Sequence, residues 1–181
     1  MTLQTLILEG GNALSDFRTQ QLLPRLQAHC PEIRALTGQY LHLVASLSPF
    51  DAAQKSILSE LLTYGEPFNK AASLPPSSIQ IFVSPRLGTV SPWASKATDI
   101  AHNCGLTVRR IERLLVYSLH FKNASSAKAA SVDTLLKLSD LLHDRMTESI
   151  LAKQEDALAL FTELQAQSLL HVDVLLGGRE A

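Results

Sequence analysis

Apolar residues along this chain recur at two spacings, and the switches between them mark out the elements. Leu3 to Leu8 (LQTLIL) is a short apolar run ahead of Gly10-Gly11 and predicts a first strand that stops at the glycines. Leu14, Phe17, Leu22 and Leu26 predict a helix over 13–28, kinked or restarted at Pro24 and ended by Pro31. Residues 33–47 alternate around Tyr40-Leu41-His42-Leu43-Val44 with the period of a half-buried strand. SPFD at 48–51 reads as a capping box: Ser48 caps, Pro49 takes the first helical position and Asp51 answers three residues on. The helix that follows carries Ile57, Leu58, Leu61 and Leu62 on one face and is expected to stop at Gly65.

A Pro/Ser-rich stretch, EPFNKAASLPPSS at 66–78, interrupts the pattern. After it come a strand at Ile79–Val83, a helix at 92–103 and a long strand at Val108–Phe121, broken in polarity by Arg109, Arg110, Glu112 and Arg113. NASSAKAAS reads as a soft loop. Ser131 then caps a helix with Leu135, Leu138, Leu142 and Met146 on its apolar face. A short strand at 150–152, a helix at 156–166 and a closing strand at Leu169–Leu176 complete the prediction. Strand, helix, strand, helix thus occurs before and after the interruption. That order predicts an α+β fold of two related lobes, with an antiparallel or mixed sheet and packed helices. The lobes are expected at 1–65 and 79–168, with 66–78 as linker and 169–181 as closing strand and start of an onward connection.

Composition narrows the function. Charged residues make up 18% of the 181, against about 25% in a typical domain, which hints at protein–protein contact. A net charge of −1 argues against a nucleic-acid module, whose affinity rests on neutralising phosphates. The chain opens with no secretory signal and holds no run of about 18 apolar residues, so a cytoplasmic protein without a membrane partner is expected. Cys30 and Cys104 stand far apart, in no metal spacing and no nucleophile context, and read as reduced, partly buried thiols. The histidines show no i, i+4 pairing and read as structural, so no metal site is expected. No paired carboxylates of the kind that hold Mg-ATP stand out, so neither a catalytic residue nor a cofactor is expected in this chain.

One stretch is denser in special residues than packing requires: SPRLGTVSPWASKATDIAHNCG, from Ser84 to Gly105. Ser91 is a good N-cap and Pro92 a good first helical residue. Trp93, Ala97, Ile100 and Ala101 share a face that would bury, Gly105 suits a left-handed C-cap, and Lys96 and Asp99 face water. That reading leaves unexplained the small hydroxyls Thr89, Ser91, Ser95 and Thr98. A rival reading uses the free backbone N–H groups at the helix N-terminus, with Arg86, Gly88, Thr89 and Ser91, as a site for a phosphate or a partner's carboxylate. Neither GxxxxGK[ST] nor GxGxxG is present.

PRLGTVSPWASKATDIAHNCGL closely resembles the signature P-R-x-G-T-x-S-P-W-[SA]-S-K-A-T-D-I-x-x-N-C-G-L near the start of the large, single-chain phosphoribosylformylglycinamidine synthases. NALSDFR, YLH, LLTYG, IERLLVY, LHDRMTE and VDVLLGG resemble the same N-terminal region, so the likeness spans nearly the whole chain; Pro24 and Pro75-Pro76 depart from it. The resemblance implies a parent enzyme that converts formylglycinamide ribonucleotide to the amidine with ATP, Mg²⁺ and glutamine-derived ammonia. It implies that the ATP-grasping and glutaminase chemistry belong to other domains. This region would be non-catalytic and similar to a fused dimer of the small separate subunit of multi-subunit versions. Its partners would be the linker, synthetase and glutaminase domains. The family-motif residues Arg86, Gly88, Thr89, Ser91, Pro92, Trp93, Lys96, Thr98, Asp99, Asn103 and Gly105 would then form a docking surface, with Trp93 and Ile100 as anchors. The alternative is a free-standing binding or regulatory module with an anion site at the helix N-terminus near Ser91.

Overall fold

A computed structural model describes residues 3–69, 75–162, 168–169, 171–172 and 174–178. The elements in chain order are β1 (Gln4–Asn12), α1 (Asp16–His29), β2 (Ile33–Ser46), α2 (Ala52–Leu61), β3 (Ser78–Pro85), α3 (Pro92–Asn103) and β4 (Arg110–Phe121). There follow α4 (Ala124–Ala129), α5 (Val132–Asp140), β5 (Glu148–Leu151), a 3-10 helix (Gln154–Phe161) and α6 (Val174–Gly177). The fold is α+β. Its five strands form one sheet in the order β1-β2-β4-β3-β5, and every pairing is antiparallel. β4 lies between β2 and β3, so the sheet runs unbroken across the predicted 66–78 boundary.

Side chains alternate across the pleat, and both faces of β2 and β4 are covered. On one face α1, α4 and α5 pack Leu22, Leu26, Ala127 and Leu138 against Leu36, Ile81, Tyr117 and Leu119. Further along the same face α2 and α3 bring Leu58 and Ala101 onto Val44 and Ile111. Between these two clusters lie Tyr40, His42 and Arg113; His42 stands opposite Arg113 and Tyr40 opposite Leu115 in the β2–β4 register. The opposite face is closed by the 3-10 helix, whose Ala157, Leu160 and Phe161 pack on Leu41, Leu43, Leu114 and Val116.

Several expectations are corrected. The first strand runs through Gly10 and Gly11, with a register shift between Glu9 and Asn12, because an extra residue in an antiparallel strand is absorbed as a bulge. Glycine is required there: a Cβ on Gly10 would stand 2.5 Å from the His42 ring, and one on Gly11 2.5 Å from the Glu66 carbonyl. α1 starts at its Ser15 cap and continues through Pro24 without a break, and Phe17 faces water. Asp51, rather than Ser48, caps α2: its carboxylate accepts from the Gln54 N–H and the Gln54 side chain returns a bond to the Asp51 N–H. Pro49 is therefore outside the helix, and Ile57 faces solvent while Leu58 and Leu62 bury. α2 ends at Leu61, and Gly65, at φ 71°, serves the turn beyond.

NASSAKAAS folds into α4, capped by Asn123 Oδ1 accepting from the Ser126 N–H at 2.7 Å. Met146 lies past the end of α5 and is 76% exposed. The predicted 156–166 helix is a 3-10 helix as far as Phe161; residues 163–167 lie outside the described residues. In place of a closing strand, Val174–Gly177 forms one helical turn with Leu175 98% exposed; Leu170 and Asp173 of that prediction lie outside the described residues.

Candidate functional site

β3 pairs with β4 only as far as Val83, opposite Leu115; beyond it Ser84 and Pro85 pair with β5 alone. The segment from Arg86 to Asn103 fills the space where the strands part. Arg86 anchors its entry, with its N–H donating to the Thr147 carbonyl (2.9 Å) and its guanidinium to the Met146 carbonyl (3.4 Å). A tight turn follows in which Gly88 adopts φ 81° and both the N–H and the hydroxyl of Thr89 reach the Arg86 carbonyl. That φ favours glycine, which has no Cβ to clash. Arg110 donates to the Thr89 carbonyl (2.8 Å) and pairs with Glu112, so the turn is clamped to β4. Glu112 is buried, and burial pushes its carboxyl above the ordinary range against the pull of Arg110 and of the Ser91 hydroxyl.

α3 is set by its own ends. Ser91 Oγ accepts from the Ala94 N–H (3.0 Å) and the Ser91 carbonyl from the Ser95 N–H (3.1 Å). At the other end Leu106 N–H reaches the Ala101 carbonyl (3.0 Å) and Gly105 N–H the His102 carbonyl (2.9 Å), with Gly105 at φ 76°. These are the two bonds of a Schellman cap, and Leu106 completes it by burying. Thr98 joins the helix to the sheet: its hydroxyl donates to the Ala94 carbonyl (2.7 Å) and accepts the Ile111 N–H (3.0 Å). β3 has left β4 before Ile111, so Thr98 supplies the partner that the missing strand would have supplied.

Trp93 is half-buried and stacks on the fully buried His42 ring at 5.5 Å between centroids. His42 Nε2 lies 2.8 Å from the Tyr64 hydroxyl, which also accepts from Arg113 (3.2 Å). The Arg113 guanidinium sits over the Tyr40 ring at 4.2 Å and over Trp93 at 4.6 Å. Burial, aided by the Arg113 charge, lowers the His42 pKa to about 4. The imidazole is therefore neutral near pH 7, and its Nε2 shares a hydrogen bond with the Tyr64 hydroxyl.

The motif residues thus divide. Gly88, Thr89, Ser91, Pro92, Thr98 and Gly105 build the turn and the helix. Trp93 serves the domain's own packing, and Ile100 is 43% exposed. Lys96, Asp99 and Asn103 are exposed and make no side-chain hydrogen bond or ion pair with any described residue. Beside them Leu61, Leu62, Tyr64, Trp93, Ala97 and Ile100 line an apolar groove of about 210 Å³ between α2 and α3.

At the helix N-terminus of the rival reading, part of the donor set is already used. Pro92 has no N–H, and the next but one is taken by Ser91; Thr89 spends its hydroxyl on Arg86. Cys104, expected to be partly buried, is exposed. Tyr64 and Arg113, which complete the Trp93 environment, had no sequence signal beyond their place in LLTYG and IERLLVY. Among the described residues no three His, Cys, Asp or Glu side chains converge as metal ligands. No helix among them is long and apolar enough to cross a membrane.

A family model described as the formylglycinamide ribonucleotide amidotransferase N-terminal domain matches residues 39–161, which include both strands that part and all of α3.

Proposed function

The chain belongs to the formylglycinamide ribonucleotide amidotransferase N-terminal domain family, and from that premise we propose that it acts as a docking and bracing domain rather than a catalytic one. The family's enzyme, phosphoribosylformylglycinamidine synthase, is an ATP-dependent glutamine amidotransferase ligase of purine biosynthesis. In this reading ATP and Mg²⁺ are handled by a synthetase domain and ammonia is released by a glutaminase domain. This domain holds them, and the linker, in register in the cytoplasm.

One observation carries the reading. Lys96, Asp99, Ile100 and Asn103 form an outward stripe that the domain does not use to fold itself, beside an apolar groove that shares Lys96 and Ile100. Polar groups around an apolar pocket with an aromatic wall are the composition of an interface centre. The lobes at 1–65 and 79–168 are supported by the topology. β1-α1-β2 and β3-α3-β4 are both strand–helix–strand units, and the sub-order β1-β2-β4-β3 is the one that two related lobes joined through β2 and β4 would give.

In an intact synthase carrying this domain, the pair Lys96→Ala and Asp99→Asn should lower glutamine-dependent amidation while glutaminase turnover and the domain's thermal midpoint stay at parent values. Parent-level amidation in the double variant would remove the docking role.

A further inference from the structure

A second cavity lies across Trp93 from the docking groove. It has a volume of about 290 Å³ and opens on the helix-bearing face of the sheet where β3 leaves β4. We propose that this cleft binds a small oxyanion, a phosphate or carboxylate group, between the guanidinium groups of Arg18 and Arg113.

The charges favour it. Arg18 of α1 and Arg113 of β4 both line the cleft, against one carboxylate, Glu148. Glu148 is engaged, its Oε2 accepting the Asp144 N–H at 2.8 Å, while Arg18 makes no ion pair with any described residue. Two cations facing a single carboxylate leave the cleft lining with one positive charge in excess.

Geometry favours it too. The Arg113 guanidinium is held over Tyr40 at 4.2 Å and over Trp93 at 4.6 Å, and Nη1 is fixed by Tyr64. Aromatic faces on a guanidinium leave only its edge to bind, and a planar fork already oriented loses little freedom when it grips an oxyanion. The floor adds neutral donors. Tyr40, Ser84, Ser91 and Thr147 line the cleft with hydroxyl-bearing side chains.

Size limits the ligand. About 290 Å³ stands at the lower end of small-molecule sites, roughly 300–1,000 Å³, so the fit is to one charged group with a short organic substituent. The inference is independent of the docking role, which uses the other side of Trp93.

Trp93 lines the cleft and is the chain's single tryptophan, so its emission reports occupancy. The 181-residue chain is titrated with inorganic phosphate and, separately, with malonate, at ionic strength held constant with chloride. A saturable change with either anion is expected, and which anion saturates at lower concentration tells phosphate from carboxylate chemistry. Arg18→Gln, an exposed position, should weaken that response about tenfold or more, the loss of a charge-assisted bond. Arg25→Gln, on the same helix outside the cleft, should leave it within about twofold. Thermal midpoints should rise with the anion in the parent and in Arg25→Gln but not in Arg18→Gln. Linear, non-saturating emission with both anions, or equal weakening by both substitutions, would overturn the proposal.

Discussion

The inner and outer sides of α3 come from the same twelve residues and are built on different terms. Inward, Ala94 and Ala101 are fully buried against the sheet, Thr98 supplies a hydrogen-bond partner to β4, and Trp93 stacks on His42. Outward, Lys96, Asp99, Ile100 and Asn103 touch little. A dense signature can therefore have more than one cause: most of it seats a helix where two strands part, and the remainder, Lys96, Asp99 and Asn103, is exposed, with side chains that bond to no described residue.

The comparison can be broken most severely through His42, on which the inner side rests. A histidine held neutral at a pKa of about 4 rather than 6.5 refuses a proton that the unfolded chain accepts. Its stabilisation is complete above pH 6.5 and is lost as pH falls towards 4, up to about 3 kcal/mol. Glu112, raised by burial, works with the opposite sign as pH falls. The check is therefore the difference in urea-unfolding free energy between the parent and His42→Gln across this window. A parallel pH dependence in the two would show that His42 titrates normally.

Smaller effects sharpen the contrast. Ala101→Leu forces methylenes between helix and sheet and should cost about 1–3 kcal/mol. Thr98→Val keeps the shape but strands the Ile111 N–H, for about 1–3 kcal/mol; amide exchange at Ile111 should rise with it. Gly105→Ala meets nothing within 4 Å, so its cost, about 1 kcal/mol, is that of the left-handed backbone alone. Lys96→Ala and Asp99→Asn should each fall within about 0.5 kcal/mol of the parent. An outer substitution as destabilising as Thr98→Val would erase the distinction.

Local signals were legible and long-range ones were not. The Ser91 cap, Pro92 at the first turn and Gly105 at the end of α3 are dictated by backbone rules that act within a few residues, and they appear where the sequence places them. The long β2 strand likewise stands where its pattern predicts a strand, but from Leu41 to Ser46 it is buried on both faces rather than one. Local rules misled where two caps competed: Asp51 outbid Ser48 because Gln54 stands where it can close the box. They also failed where small residues hid a helix, as at α4, and where a bulge carried a strand through two glycines.

By itself, then, the sequence determined the kind of the elements from β1 to β4, the ends of the signature helix and the family. Only the tertiary structure decided that β4 runs between β2 and β3, that β3 leaves it at Val83, and that Arg18 and Arg113 line one cleft. The physical reason is range. Caps and periodicity are settled by neighbours along the chain, whereas strand order and the grouping of distant charges depend on which buried faces match, a property of no single segment.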